Sequence, residues 1–202
     1  MKIKICGIRD NQTLQYACEK RVDFAGFIMA DRSPRKISEE FLSSLEDFNF
    51  QNTTPVFVFV NPLIDEVRKI STNIPSSILQ FHGDESSHFC EQFKQPFWKT
   101  IRVRNSESLK KINDYPSANA FLLETFSNDL HGGTGKVFDW SLLDEISLDK
   151  QFVLAGGINS ENIKQAISLN PWCIDVNSGV ESSLARKDKT LMGQVIKTFK
   201  NG

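Results

Sequence analysis

Short runs of β-branched and aromatic residues recur along the whole chain, and a helical stretch separates each run from the next. The runs are "KIKICGI", "FAGFIM", "PVFVFV", "SILQFH", "FWKTIRV", "AFLLET", "FVLAGG" and "CIDVNSG". Eight units in 202 residues average about 25 residues each, close to the minimum for a parallel strand-helix crossover. The pattern predicts an α/β fold, a (β/α)8 barrel with a closed parallel sheet, formed by one domain over residues 1–202. A doubly wound open sheet is the alternative. Its dinucleotide-binding form carries GxGxxG after the first strand, where this chain has "CGIRDN".

Alternation assigns faces. Lys2, Lys4 and Cys6 share one side of the first strand and Ile3 and Ile5 the other, where helices should cover them. In the eighth strand Ile174 and Val176 face outward, while Cys173, Asp175 and Asn177 face inward. First and eighth strands are neighbours in a closed barrel, so Lys4 and Asp175 are expected to form an internal ion pair, because an unpaired buried charge is costly. The alternative has Lys4 extending to water at the bottom of the barrel. Helix starts are expected at Asn61-Pro62, with Asn61 as cap, and at Asp84, Asp139 and Asp188.

Composition narrows the partners. With 24 Lys+Arg against 25 Asp+Glu, a formal net charge of −1, the chain has no electrostatic footprint for nucleic acid or an anionic membrane, which favours a small molecule. No apolar run approaches the ~20 residues of a membrane span and no signal-peptide layout opens the sequence, so the expected location is the cytoplasm. Cys6, Cys18, Cys90 and Cys173 lack CxxC spacing, which argues against a zinc cage and a disulfide framework.

Candidate chemistry sits where barrel strands end. Strand seven ends in Gly156-Gly157, and strand eight runs into Ser178-Gly179 and then "ESSLA", expected to form a short extra helix. Glycine turns and a helix N-terminus suit a phosphate, against the alternative of two ordinary turns. "HGGTGK" is no P-loop, because Leu130 and Val137 stand where glycine and Ser/Thr are needed; Gly132, Gly133 and Gly135 suit a mobile loop over strand six.

Cys6 ends strand one beside Gly7, facing the barrel mouth. An ordinary thiol is only ~3% ionised at pH 7, so a role as base requires cations, for which Lys4 and Arg35 are the candidates. Without them Cys6 is a small buried hydrophobe. Glu124 on strand six points into the same mouth, where a carboxyl opposite a thiolate forms an acid and base pair; the bland alternative is a strand-end carboxylate in water. Gln80 and His82 project from strand four toward this cavity, with a packing role open for His82.

Together, "KICGI", "GF" with "SPR" at residues 26–35, "LQFHGDE", "GGTGKVFDW", "LAGGINSEN" and "DVNSGVE" followed by "KD" resemble the phosphoribosylanthranilate isomerases of tryptophan biosynthesis, in the family's order and over almost the entire chain. The resemblance implies a cofactor-free Amadori rearrangement of a phosphorylated aminosugar, N-(5-phosphoribosyl)anthranilate; no metal is expected, since the three histidines are scattered. It assigns the base to Cys6, the aryl carboxylate to Arg35 and a supporting role to Asp175. The family's acid is an aspartate in an "LLD" block, where this chain has Glu124. An added methylene shifts the carboxyl by on the order of 1 Å, which can cost ~10²-fold in rate unless compensated. Asp129 is a poorer substitute, since it lies in the loop beyond the strand end.

Rival readings are weaker. The related sugar-phosphate isomerase of histidine biosynthesis uses an aspartate where Cys6 stands. Ribulose-phosphate epimerases need clustered metal ligands, and His82, His88 and His131 are scattered. A non-catalytic barrel that binds phosphate ligands is the reading from another class. The expected assembly is a monomer or homodimer.

Overall fold

The computed structural model describes residues 1–125, 140–143 and 150–202. Eight parallel strands close into a barrel in chain order. They are β1 (Lys2–Cys6), β2 (Phe24–Ile28), β3 (Thr54–Phe59), β4 (Ile78–Phe81), β5 (Phe97–Val103), β6 (Ala120–Thr125), β7 (Phe152–Leu154) and β8 (Cys173–Val176). Every predicted strand is present. Between them lie α1 (Asn11–Glu19), α2 (Glu39–Glu46), α3 (Ile64–Asn73), α4 (Ser87–Cys90), α5 (Ser106–Lys110) and α6 (Ile163–Ser168), and α7 (Lys189–Lys200) follows β8.

The alternation of the sequence becomes two cores. Ile3, Ile5, Ile174 and Val176 join Phe27, Phe57, Leu79 and Leu123 in the layer beneath the helices. Phe24, Val56, Trp98, Leu122, Val153 and Cys173 fill the barrel itself. Phe24, Trp98 and Trp172 close the end where the strands begin, with edge-on ring contacts at 4.9 and 5.7 Å, each adding about 0.5–1.5 kcal/mol beyond burial. Functional groups are thereby confined to the end where the strands finish.

Register sets the first relationship of the site. β1 pairs Lys4 with Asp175 on β8 and Cys6 with Gly26 on β2. Lys4 is fully buried, with Nζ 3.0 Å from Asp175 Oδ2, so it forms the internal pair and does not reach water at the bottom.

Several predicted starts are corrected. Asp188 caps α7 as expected, accepting from Thr190 and Leu191 N–H. Asn61, however, has φ of +47° and stands outside α3, whose cap is Leu63. Its side chain instead accepts the Asp84 N–H at 2.7 Å, which ties the loop after β3 to the loop after β4. Ser86, not Asp84, caps α4, because the Asp84 carboxylate pairs with Arg102 at 2.6 Å. The start at Asp139 falls outside the described residues, as do Asp129, His131, Gly132, Gly133 and Gly135; Trp140–Leu143 form a 3-10 turn. "ESSLA" opens a hairpin rather than a helix, β9 (Glu181–Ser183) paired with β10 (Arg186–Lys187). The Glu181 carboxylate closes that hairpin by accepting the Ala185 N–H and pairing with Lys187.

Candidate active site

The first strand delivers a sulfur into a space that two glycines keep open. Gly7 turns the chain at φ +74°, and a β-carbon there would lie 2.8 Å from Asn177 Oδ1 and 3.1 Å from Arg35 Cδ. Gly26 clears the neighbouring strand, since a β-carbon on it would meet Cys6 Sγ at 2.8 Å and Lys4 Cε at 3.0 Å. Only glycine satisfies both approaches.

Electrostatics at Cys6 differ from expectation. Burial pushes its thiol above the ordinary value, outweighing the pull of Lys4 and Lys187, and Asp175 adds to the upward push. Lys4 is present as predicted, but Asp175 holds part of its field. Burial alone would lower the Lys4 ammonium; Asp175 and Cys6 outweigh it and hold Lys4 firmly charged. Arg35, the other expected cation, interacts with the Cys6 charge, but it is committed chiefly to Glu181.

That commitment is a bidentate pair with Glu181, Nε to Oε1 and Nη2 to Oε2, both 2.8 Å. Lys187 Nζ donates to the same Glu181 Oε1 at 2.8 Å and to the carbonyl and side-chain oxygens of Asn177 at 2.9 and 2.8 Å. Burial disfavours the Glu181 charge, but Arg35 and Lys187 overcome it and lower its pKa to about 2. The only hint of Glu181 and Lys187 in the sequence is their place in the "DVNSGVE" and "KD" blocks, because their partner Arg35 lies 146 residues from Glu181.

Across the barrel, Glu124 is 5% exposed and its Oε1 lies 2.7 Å from His82 Nε2. His82 Nδ1 is 3.1 Å from both Gln80 Nε2 and Thr100 Oγ1. β4, β5 and β6 thus converge on one polar chain inside the barrel, and His82 is held for more than packing. The loop behind it is fixed from outside. Lys99 Nζ donates to Glu85 Oε2 and to the Gly83 carbonyl, each at 2.7 Å, while Glu85 Oε1 accepts the Gly83 and Asn61 amides.

The glycine turns after β7 and β8 meet. Gly156 and Gly157 have φ of +89° and +67°, and Asn159 bridges Gly179 in parallel fashion. A β-carbon on Gly179 would fall 2.0 Å from the Ile158 carbonyl oxygen. Ser178 lies in the same turn and accepts the Glu181 N–H through its carbonyl at 3.0 Å.

Known proteins share this sequence and this fold. The model of the family described as N-(5'phosphoribosyl)anthranilate (PRA) isomerase matches residues 3–198. The N-(5'-phosphoribosyl)anthranilate isomerase of Legionella pneumophila (strain Paris) is 39% identical over 201 residues, covering 98% of this chain and 97% of that one. Among solved structures, the phosphoribosyl anthranilate isomerase of Thermus thermophilus superposes with a TM-score of 0.88 at 25% identity, over 100% and 99% of the two chains. A phosphoribosyl anthranilate isomerase in complex with reduced 1-(o-carboxyphenylamino)-1-deoxyribulose 5-phosphate superposes at 0.84 with 28% identity, over the whole of both chains. A match this long, on a barrel whose first strand ends in Cys6 and whose sixth carries Glu124 inward, means that the chain belongs to the N-(5'-phosphoribosyl)anthranilate isomerase family.

Proposed function

We propose that this chain, acting as one barrel domain, isomerises N-(5'-phosphoribosyl)anthranilate to 1-(2-carboxyphenylamino)-1-deoxyribulose 5-phosphate in tryptophan biosynthesis, with Glu124 as general acid and Cys6 as general base. Glu124 gives its proton to the furanose ring oxygen as the C1–O bond breaks, and the amine nitrogen lone pair forms the iminium. Cys6, as thiolate, removes the C2 proton to give an enolamine. C1 then takes the proton held by Cys6 and the C2 hydroxyl gives its proton to the Glu124 carboxylate, so the reaction is proton-neutral and both residues return to their starting states. No metal or cofactor enters.

The observation that carries this reading is the 2.7 Å contact between His82 Nε2 and one oxygen of a buried carboxyl. With Oε1 occupied, Oε2 is the oxygen left to hold and deliver a proton. The His82 contact also supports the longer side chain at this position, since a glutamate anchored at its tip has a defined reach. Cys6 acts as a strong base that is rarely ionised, because burial raises its thiol further than Lys4 and Lys187 lower it.

Arg35 receives the aryl carboxylate, for which a guanidinium fork is well shaped. The turns bearing Gly156, Gly157, Ser178 and Gly179 receive the phosphate, supported by the positive φ of Gly156 and Gly157 and by the bridge between Asn159 and Gly179. Gln80, His82 and Asp175 border the sugar, and the buried Asp175 Oδ1, without a hydrogen-bond partner among the described residues, is an acceptor for its hydroxyls. No helix of the described residues is long and apolar enough to cross a membrane; the proposed setting is the cytoplasm, as a monomer or homodimer.

The test is loss of anthranilate fluorescence when purified protein meets N-(5'-phosphoribosyl)anthranilate. Wild type should consume it catalytically, and Cys6→Ser and Glu124→Gln should not. A wild-type protein that binds the compound and leaves its fluorescence constant is a binding barrel, and the isomerase reading fails.

A further inference from the structure

We propose that Glu181, at the base of the hairpin after β8, is a positioning residue that holds one edge of the Arg35 guanidinium so that the opposite edge is set to receive a benzoate-type carboxylate on the ligand. The inference rests on the reading that Arg35 takes that carboxylate.

Every acceptor site of Glu181 is used within the cluster. Oε1 takes Arg35 Nε and Lys187 Nζ, and Oε2 takes Arg35 Nη2 and the Ala185 N–H. A carboxylate with four donors has no lone pair left for a ligand. Lys187 is similarly spent, its three N–H bonds going to Glu181 and twice to Asn177. Neither residue is equipped to touch substrate, and both are equipped to hold something that does.

Arg35 is the member with capacity left. Its Nε and Nη2 face Glu181, which leaves the Nη1 side of the fork without a hydrogen bond among the described residues. A guanidinium presents two bidentate edges, and fixing one in a plane orients the other. Two cations and one anion leave the cluster with a single positive charge, the complement of a single carboxylate. Its location is suited to the task, because a β-carbon at Gly7 would lie 3.1 Å from Arg35 Cδ and 3.3 Å from Lys187 Nζ. The cluster therefore borders the turn that carries Cys6. Arg35 sits on the loop after β2 and Glu181 after β8, the two strands that flank β1, so the pair closes over the first strand from both sides.

The experiment compares two ligands on each protein: reduced 1-(o-carboxyphenylamino)-1-deoxyribulose 5-phosphate, and its phenyl counterpart lacking the carboxylate. Dissociation constants come from calorimetry, and the readout is their ratio within one variant, which loss of folded fraction does not move. Wild type should favour the carboxylated ligand by roughly tenfold to a hundredfold, the range for a hydrogen-bonded charge pair. Arg35→Met should abolish the preference. Glu181→Gln should remove most of it while the affinity for the phenyl ligand is kept. If Arg35→Met abolishes the preference and Glu181→Gln retains it, the positioning role is overturned and the Arg35 reading stands. If wild type shows no preference, or Arg35→Met keeps it, the Arg35 reading fails and the inference with it. Should Glu181→Gln not fold, Glu181→Asp keeps the charge beside Lys187 but is too short to hold both Arg35 nitrogens, and the same outcomes decide.

Discussion

His82 Nε2 lies 2.7 Å from Glu124 Oε1, and the contact divides the work of the two carboxyl oxygens. In the tautomer with the hydrogen on Nε2, the imidazole donates to Glu124 while Nδ1 accepts from the Gln80 amide. Replacing Glu124 by Gln preserves shape and removes the transferable proton. Turnover should fall by ~10²-fold or more, the usual weight of a general acid, with product-analogue affinity nearly unchanged. His82→Leu should lower kcat by roughly tenfold with a smaller change in KM, because it frees the carboxyl to rotate away from its productive placement. Steady-state kinetics check both, and a His82→Leu enzyme altered only in KM would mean that the imidazole binds substrate instead of orienting the acid.

Gly179→Ala tests the proposed phosphate turns. The new β-carbon would stand 2.0 Å from the Ile158 carbonyl oxygen and 2.9 Å from Asn159 Cα, and backbone cannot step aside as a flexible side chain can. The turns should separate, costing about 1–3 kcal/mol of stability, as overpacking does. KM for the ribotide should rise, and inhibition by inorganic phosphate should weaken in parallel. A folded variant with both values unchanged places the phosphate elsewhere.

The strands were legible because their two faces meet apolar surroundings on different periods: "KIKIC" alternates where β1 carries Lys4 into the barrel, and "AFLLE" runs apolar where β6 is buried on both sides. Lys4 and Asp175 followed from alternation together with adjacency, since both face inward and closure makes the first and last strands partners. Caps were less legible. Asn61 and Asp84 have the chemistry of helix starts, but tertiary partners claimed both: Asn61 binds the next loop, and Asp84 binds Arg102. The hairpin at 181–187 defeated a local reading for the same reason, because Glu181 is pinned by Arg35 from across the first strand. Glu85 ends the "LQFHGDE" block but its partner Lys99 lies in no quoted block, and only the fold reveals that this buried pair supports the loop behind His82.

Lys4 and Asp175 supply a stability prediction. Lys4→Met strands a carboxylate that is 8% exposed, and breaking such a buried pair should cost about 3–5 kcal/mol in urea unfolding. Lys4→Met with Asp175→Leu removes both charges and should recover much of that loss. A double variant no more stable than Lys4→Met alone would show that packing, not the stranded charge, dominates.

Glu181 supplies an acid-side prediction. Its pKa falls from an ordinary 4.5 to about 2 in the folded protein, so the unfolded chain binds the proton first as pH drops. Its contribution is complete above about pH 4.5 and drains away as pH falls toward 2. Arg35 and Lys187 keep their charges throughout that window. Chemical denaturation at a series of pH values should show a decline in wild type that is shallower in Glu181→Gln. Parallel curves for the two proteins would place the acid-sensitive group elsewhere.

Cys6 supplies the sharpest electrostatic prediction, because its neighbours act on it with opposite signs. Lys4 draws the thiol pKa down and Asp175 pushes it up, against a larger upward push from burial. Alkylation of Cys6 by iodoacetamide, followed by peptide mass, should be slow at pH 7 and keep accelerating through pH 9, the ordinary thiol value from which it is raised. Lys4→Met removes the attraction and should move that profile to higher pH. Asp175→Asn removes a repelling charge, frees Lys4 to act on the sulfur alone, and should move it to lower pH. Both substitutions disrupt the same 3.0 Å ion pair, so any general loosening of the fold would shift both profiles the same way. Opposite shifts therefore identify the field at the sulfur as the cause. Shifts of one sign would instead show that access to a buried thiol governs its reactivity, and the account of Cys6 as a base poised by Lys4 would have to be abandoned.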